Sequence, residues 1–373
     1  MKFKAPAVYI HQLKGWPTFT WDADALSAPL SQVRFNQGKL LGKMENLGFH
    51  LQEQATLQTV IAEVVKSSEI EGEVLSQAQV RSSVARRLGI HIAGILPADR
   101  HVDGVVEMML DATQNFNNML TKARLVGWQA ALFPTGHSAM YKIKTGGWRT
   151  NTKADPMQVV SGGMGKEKVH FEAPQGDVLP KEMTAFITWM NNEKKLEPIL
   201  KAAIAHLWFV TIHPFDDGNG RIARAITDML LARADNTAKR FYSMSAQIRK
   251  ERKGYYNILE QTQKGSLDIT AWLQWFLNCL NKSITASDAA LKGITAKSKF
   301  WERNVKTVLN TRQTFIIYKL LDGFDGKLNT GKWAKLAKCS NDTALRDVQD
   351  LVTKKVLIKE EGGGRSTSYA LSL

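Results

Sequence analysis

Apolar residues return along this chain mostly at helical spacing, and only in short pieces at the alternating spacing of strands. The spacing predicts a helix from about Leu26 through Leu40, Leu41 and Met44. Gln52 to Val65 repeats the pattern at Ala55, Leu57, Val60, Ile61, Val64 and Val65, then breaks at Ser67-Ser68-Glu69-Ile70-Glu71-Gly72 before a further helix ending near residue 88. Residues 89–140 read as mostly helical, with Val105, Val106, Met108, Met109 and Leu110 on a buried face. Lys181 to Thr211 divides into two helices. The second, Ile199 to Ile212, is apolar nearly all round, the mark of a helix at a domain centre. Leu267 to Leu280 reads as one more buried helix. Strand-like pieces are confined to Tyr141–Thr145, Met157–Val160 and Lys168–Phe171, and Ser161-Gly162-Gly163-Met164-Gly165 between the last two is a hairpin turn signal. The chain is therefore expected to be mainly α. Ahead of the first helix, Trp16-Pro17-Thr18-Phe19-Thr20-Trp21 predicts an extended aromatic segment packed on the body.

Residues 281–298 are polar and poor in large apolar side chains, so a domain boundary is expected there. Beyond it, 299–373 is a small basic module. Its order is a helix over Arg312–Leu321, one over Lys332–Ala337, one over Asn341–Lys354, then strands at Leu357-Ile358-Lys359 and Ser368-Tyr369-Ala370-Leu371 around Glu361-Gly362-Gly363-Gly364-Arg365-Ser366. This order resembles a winged helix-turn-helix, with Asp342–Val352 as recognition helix and the glycine loop as wing. Such a module binds DNA or docks protein, and the sequence leaves both open. Gly326-Lys327-Leu328-Asn329-Thr330-Gly331-Lys332 nearly spells a phosphate-binding P-loop, but Trp333 stands where Ser or Thr is required and no strand precedes it.

A hydrophobic share of 44% with 23% charged residues excludes a disordered chain. No apolar run reaches membrane-span length, so no membrane partner is expected. Only two cysteines occur, Cys279 and Cys339, which argues against disulfides and structural zinc and suits a cytoplasmic protein. The net charge of +15 suits acidic partners such as nucleotide or nucleic acid, and equally suits plain solubility.

The densest chemistry lies in His213-Pro214-Phe215-Asp216-Asp217-Gly218-Asn219-Gly220-Arg221-Ile222-Ala223-Arg224. Pro214 and the Asp217–Gly220 run forbid regular structure, and Ile222, Ile226, Met229 and Leu230 then recur at helical spacing, so this is a loop running into a helix. Free N–H groups and the dipole make such a start an anion site. Arg221 and Arg224, three apart, can both offer phosphate-binding forks. Asp217 can hold Mg²⁺ and His213 can accept a proton near neutrality. The bland reading is a polar turn with Arg224 paired to Asp228. Together the parts point to group transfer from a metal-bound polyphosphate.

This stretch matches every fixed position of the Fic family signature, His-x-Phe-x-Asp/Glu-Gly-Asn-Gly-x-x-Arg as far as Arg224. The resemblance implies AMP transfer from ATP to a Ser, Thr or Tyr hydroxyl of a target protein. It would make His213 the general base and Asp217 the Mg²⁺ ligand. Gly218, Asn219 and Gly220 would form the anion hole, Arg221 would position the β-phosphate, and Arg224 would hold the γ-phosphate. Ser67, Glu71 and Gly72 match the family's inhibitory motif, Ser/Thr-x-x-x-Glu-Gly/Asn, whose glutamate would pair with Arg224; read alone they are a glycine-capped helix end with Glu71 solvated. Val160 to Met164, including Ser161, Gly162, Gly163 and Met164, fits the position of the family's β-hairpin flap over the nucleotide, or an ordinary surface hairpin. Tyr255, Tyr256 and Gln263 would line the adenosine pocket, although relatives often carry Asn at the position of Gln263. The Trp16–Trp21 opening resembles the region ahead of some bacterial Fic domains. We expect an N-terminal inhibitory region over 1–100, a catalytic core over 101–285, the winged-helix module over 299–373, and a homodimer. The alternative function is a DNA-binding regulator whose core only senses nucleotide, a role that would not need His213.

Overall fold

The computed structural model describes residues 8–91, 94–162, 168–321, 326–360 and 367–372. The chain divides into two compact units, Met1–Ser287 and Asp288–Leu373. It is mainly α, as the periodicity predicts.

In the first unit, α1 (Ala23–Glu45) starts at Asp22, whose carboxylate caps the helix by accepting from the Ala25 N–H. It is followed by α2 (Phe49–Ile70), α3 (Gln77–Leu88), α4 (Arg100–Gln114) and α5 (Lys122–Leu132). Two antiparallel hairpins come next, β1 (His137–Ser138) with β2 (Tyr141–Lys142), and β3 (Gln158–Ser161) with β4 (Lys168–Glu172). The strand expected over Tyr141–Thr145 is thus only two residues long. Then come α6 (Leu179–Asn192), α7 (Pro198–Ile212), α8 (Asn219–Asp235), α9 (Met244–Lys250) and α10 (Arg252–Gln263).

Every residue of α7 from Ile199 to Ile212 is buried, as its all-round apolar sequence requires. α7 packs on α8, and α2, α4 and α5 also reach α8. The two ends that meet at the motif are therefore held by helices packed directly on one another. The aromatic N-terminal segment lies on this body. Trp16 donates its indole N–H to Glu182 at 2.9 Å, Phe19 and Trp16 meet Trp208 edge to face, and Thr20 exchanges backbone hydrogen bonds with Leu267 and Ile269.

The division between the two units, at Ser287/Asp288, falls inside the stretch 281–298 where a boundary is expected. That stretch is not an irregular linker, however, because helix α11 runs from Thr270 to Arg303 through it. A narrow stripe of Leu277, Leu280, Ile284 and Leu291 keeps helical spacing, and the polar majority around it hid that stripe.

In the second unit, α12 (Thr311–Leu321), α13 (Thr330–Ala337) and α14 (Asn341–Thr353) precede an antiparallel pair, β5 (Leu357–Lys359) and β6 (Tyr369–Leu371). Ile316, Ile317, Leu328, Trp333, Val348 and Leu351 form its core. Asp347 on α14 accepts from both Arg312 Nε at 2.8 Å and Asn310, tying α14 to the start of α12. The glycine loop expected as a wing lies outside the described residues. No described helix is long and apolar enough to cross a membrane.

Candidate active site

α7 ends at His213, which adopts left-handed backbone angles (φ 52°, ψ 58°), and α8 begins six residues later. A non-glycine residue held there costs energy that the surroundings must supply. Phe215 supplies part of it, fully buried against Trp148 and Phe209. Asn219 supplies more. Its side chain donates to the Phe215 carbonyl at 2.8 Å and accepts from the Phe215 N–H at 3.0 Å, closing the loop as a backbone strand would. Gly218, the N-cap at φ 89°, could carry no side chain, because a Cβ would stand 3.0 Å from both Leu132 Cδ1 and Phe133 Cε2.

Arg149, which the sequence reading missed, fixes the turn from behind. Its buried guanidinium donates to the His213 carbonyl at 2.6 Å, the Pro174 carbonyl at 2.6 Å and the Ile212 carbonyl at 3.2 Å. Its backbone N–H donates to Pro214. A lone loop arginine carries no periodic signal, so only the fold reveals it. Arg149→Met leaves these carbonyls unpaired, and we expect a loss of about 3 kcal/mol in urea unfolding. Arg149→Lys recovers only part, since an ammonium cannot reproduce the fork.

The His213 ring is oriented by the Val210 carbonyl, 3.2 Å from Nδ1. A carbonyl only accepts, so Nδ1 carries the hydrogen and Nε2 is the free base. Burial lowers the imidazole pKa to about 4; the Val210 carbonyl raises it, Arg149 lowers it further, and Glu71 and Asp217 raise it. The ring is therefore neutral throughout the physiological range.

Asp217 is half-buried; one carboxylate oxygen takes the Ser138 hydroxyl and the other the Gly218 N–H. Ser138 is a second contact that the sequence did not announce. Asp216 accepts from the Lys144 N–H at 2.7 Å and so pins the neighbouring loop. At the start of α8, the N–H groups of Asn219, Gly220 and Arg221 fall in the first turn, where a helix has no partner for them.

The two arginines are already engaged. Arg224, buried, donates from Nε to Ser67 Oγ and from Nη2 to the Ser67 carbonyl, each at 2.8 Å, and Nη2 stands 2.8 Å from Glu71 Oε1. Nη1 is buried and has no hydrogen-bond partner among the described residues. Burial raises the Glu71 pKa, but the charge and hydrogen bond of Arg224, with Arg221 and Tyr256, outweigh it and hold the carboxyl below its usual range. Glu71 Oε1 also fills the space over Gly220, where a Cβ would lie 2.1 Å from it. The expected pairing of Glu71 with Arg224 is therefore present. Glu71 is still exposed to solvent on one side while it makes this pair, and the Arg224–Asp228 pair is absent, since Asp228 binds Arg240 at 3.0 Å.

Tyr255 is buried and hydrogen-bonds His206 at 2.8 Å; His206, a satisfied core histidine as its sequence context suggests, also meets Thr227. Tyr256 packs on Tyr255, and its hydroxyl lies 3.3 Å from Glu71 Oε2 and 3.4 Å from the Ile70 carbonyl. Gln263 is buried at the end of α10, donating to Thr211 Oγ1 at 3.3 Å. On the hairpin, Ser161 Oγ meets His170 Nε2 at 2.5 Å, and His170 Nδ1 meets Glu260 at 2.6 Å. Gly162 follows at φ 112°. Gly163 and Met164 lie outside the described residues.

One buried helix thus ends on a neutral histidine, and the next starts on glycine-flanked N–H groups and two arginines. Residues 120–231 match the Fic/DOC family, and residues 9–90 match a domain of unknown function, DUF4172. Over residues 120–231 the chain is thus similar to the Fic/DOC family. It is 28% identical over 242 residues to a protein adenylyltransferase Fic of Drosophila melanogaster, and 27% identical over 238 residues to one of Culex quinquefasciatus; each match takes in 62% of this chain. The matched region spans 42% of those relatives' own length. Among solved structures, a Fic family protein from Desulfovibrio desulfuricans superposes with a TM-score of 0.55 at 18% identity, covering 95% of this chain and 98% of that one. A Fic domain containing signaling protein from Bacteroides thetaiotaomicron gives 0.50 at 20% identity, covering 72% and 97%. The fold is that of the Fic proteins.

Proposed function

We propose that this chain transfers AMP from Mg-ATP to a Ser, Thr or Tyr hydroxyl of target proteins and of itself, and that Glu71 holds it in a resting state. The observation that carries the reading is one loop and helix start that joins a neutral His213, bare at Nε2, to the free N–H groups of α8 and to Arg221 and Arg224. In the reaction the hydroxyl oxygen attacks the α-phosphorus as its proton passes to His213 Nε2. The bond to the β-phosphate oxygen breaks and pyrophosphate leaves. The N–H groups at Asn219, Gly220 and Arg221 receive phosphate oxygens. Arg221 takes the β-phosphate and Arg224 the γ-phosphate, for which its unpartnered buried Nη1 is a ready donor.

Asp217 suits Mg²⁺, which takes one or two carboxylates and fills its shell with phosphates and water. The cation would neutralise phosphate charge, with Asp217 holding it beside the anion hole. Asp217→Asn should raise the Mg²⁺ concentration for half-maximal activity by about tenfold while leaving thermal stability near wild type, since Asn keeps the bond to Ser138. Tyr256 and Tyr255 line the adenosine side, with Gln263 behind them. The flap strand β3 pairs only with β4 among the described residues, so its other edge suits an extended target segment.

The pH dependence follows from His213. A base acts when deprotonated, so a pKa lowered to about 4 carries the acid limb of kcat/KM down with it. In an activated variant, kcat/KM should stay level from neutrality to about pH 5, where a histidine at its ordinary 6.5 would have lost most of its activity.

The test of the function is incorporation of label from α-labelled ATP, with Mg²⁺, by wild type, Glu71→Gly and Glu71→Gly/His213→Ala. The sensor alternative predicts nucleotide binding with no incorporation in any of them. For the second unit, the helix order and basic excess support duplex DNA binding. The full chain should retard duplex DNA at low salt and lose it as salt rises; no retardation at low salt would assign the unit to protein docking.

A further inference from the structure

The helix end that carries Glu71 carries a second carboxylate, and its geometry aims both at the motif. α2 closes in a Schellman turn: Gly72 sits at φ 89°, its N–H donates to the Glu69 carbonyl at 3.2 Å, and the Glu73 N–H donates to the Ser68 carbonyl at 3.1 Å. The reversal brings Glu71 to Arg224 and Glu73 to Arg221. Arg221 Nη1 donates to Glu73 Oε2 at 2.7 Å. Arg221 is 5% exposed at its side chain, lies over the Phe133 ring at 5.0 Å, and leaves Nε buried with no partner among the described residues. Glu73 is anchored on its far side, where its other oxygen meets His101 Nε2, and His101 Nδ1 reaches the Leu132 carbonyl at 2.9 Å. Burial raises the Glu73 pKa, but His101 and Arg221 outweigh it, so the carboxylate is charged.

Each phosphate-binding arginine is thus held by its own carboxylate, from positions two apart on one turn. We infer that Glu73 sets nucleotide specificity at this site by closing the β-phosphate position, as Glu71 closes the γ-phosphate position. This rests on the proposed roles of Arg221 and Arg224. Its consequence is that removal of Glu71 alone leaves a diphosphate as poorly received as before, because Arg221 stays neutralised. Full opening needs both carboxylates to leave, which one movement of the turn at Gly72 accomplishes. A role in merely bracing Arg221 predicts the opposite sign, since loss of the brace would weaken phosphate binding.

Binding of AMP, ADP and ATP, each with Mg²⁺, is measured by calorimetry on the full chain for wild type, Glu71→Gly, Glu73→Gln and the double variant. Glu73→Gln should tighten ADP by about tenfold and leave AMP unchanged. Glu71→Gly should tighten ATP far more than ADP, and the double variant should bind ATP tightest. Glu73 lies in a turn and is one-third exposed at its side chain, so Gln is tolerated sterically. Glu73→Ala, with thermal unfolding measured alongside, repeats the comparison without the amide. Unchanged or weakened ADP binding in both Glu73 variants overturns the inference. That result leaves the autoinhibition by Glu71 standing, because the ATP gain in Glu71→Gly reports on it separately.

Discussion

Glu71→Gly should raise AMP incorporation from Mg-ATP by roughly ten- to a hundredfold over wild type. Glu71 Oε1 stands 2.8 Å from Arg224 Nη2 and fills the space over Gly220, so it opposes a γ-phosphate by charge and by volume. Coulomb attraction for such a pair is about 4 kcal/mol at 4 Å and an effective dielectric of 20, before desolvation is subtracted. That margin exceeds what a tenfold change requires. Arg224 stays in place without Glu71, because Ser67 still accepts from it through both its hydroxyl and its carbonyl. Glu71→Gln separates the two components: it keeps the volume and removes the charge, and should activate less than Gly. Adding Arg224→Ala to Glu71→Gly should abolish the gain, since the released guanidinium is what the triphosphate uses. Equal, low incorporation in wild type and Glu71→Gly would end the autoinhibition idea.

The larger effect is expected at His213. In the Glu71→Gly background, His213→Ala should lower the transfer rate by on the order of a hundred- to ten-thousandfold. Mg-ATP affinity should hardly change, because the proposed site rests the phosphates on α8 and its arginines and not on the imidazole. Alanine at 213 relaxes the left-handed backbone only slightly, and Arg149 continues to hold that carbonyl. A loss of binding equal to the loss of rate would make His213 a ligand-binding residue and not the base.

What was legible in the sequence was local. The motif carries its own turn, helix start and side-chain spacing within twelve residues, and Ser67–Gly72 carries its own helix end, so both could be read from neighbours along the chain. Glu73, His101, Ser138 and Arg149 could not. Each acts on a residue distant in sequence, and each alone looks like a surface polar side chain. Glu73 lay one residue past the recognised inhibitory pattern, and nothing but the turn at Gly72 shows that it faces α8. The polar 281–298 stretch does hold the division between the two units, but the helix through it was hidden for a different reason: a helix with one narrow apolar stripe looks like a linker when hydrophobicity is averaged over all its faces.

The most direct measurement is intact-mass spectrometry of purified Glu71→Gly and Glu71→Gly/His213→Ala after incubation with Mg-ATP and a bacterial lysate. A mass increment of one AMP on the chain or on lysate proteins is expected with the first and not with the second. The increment appearing equally with both, or with neither while ATP binding is intact, would contradict AMP transfer by His213.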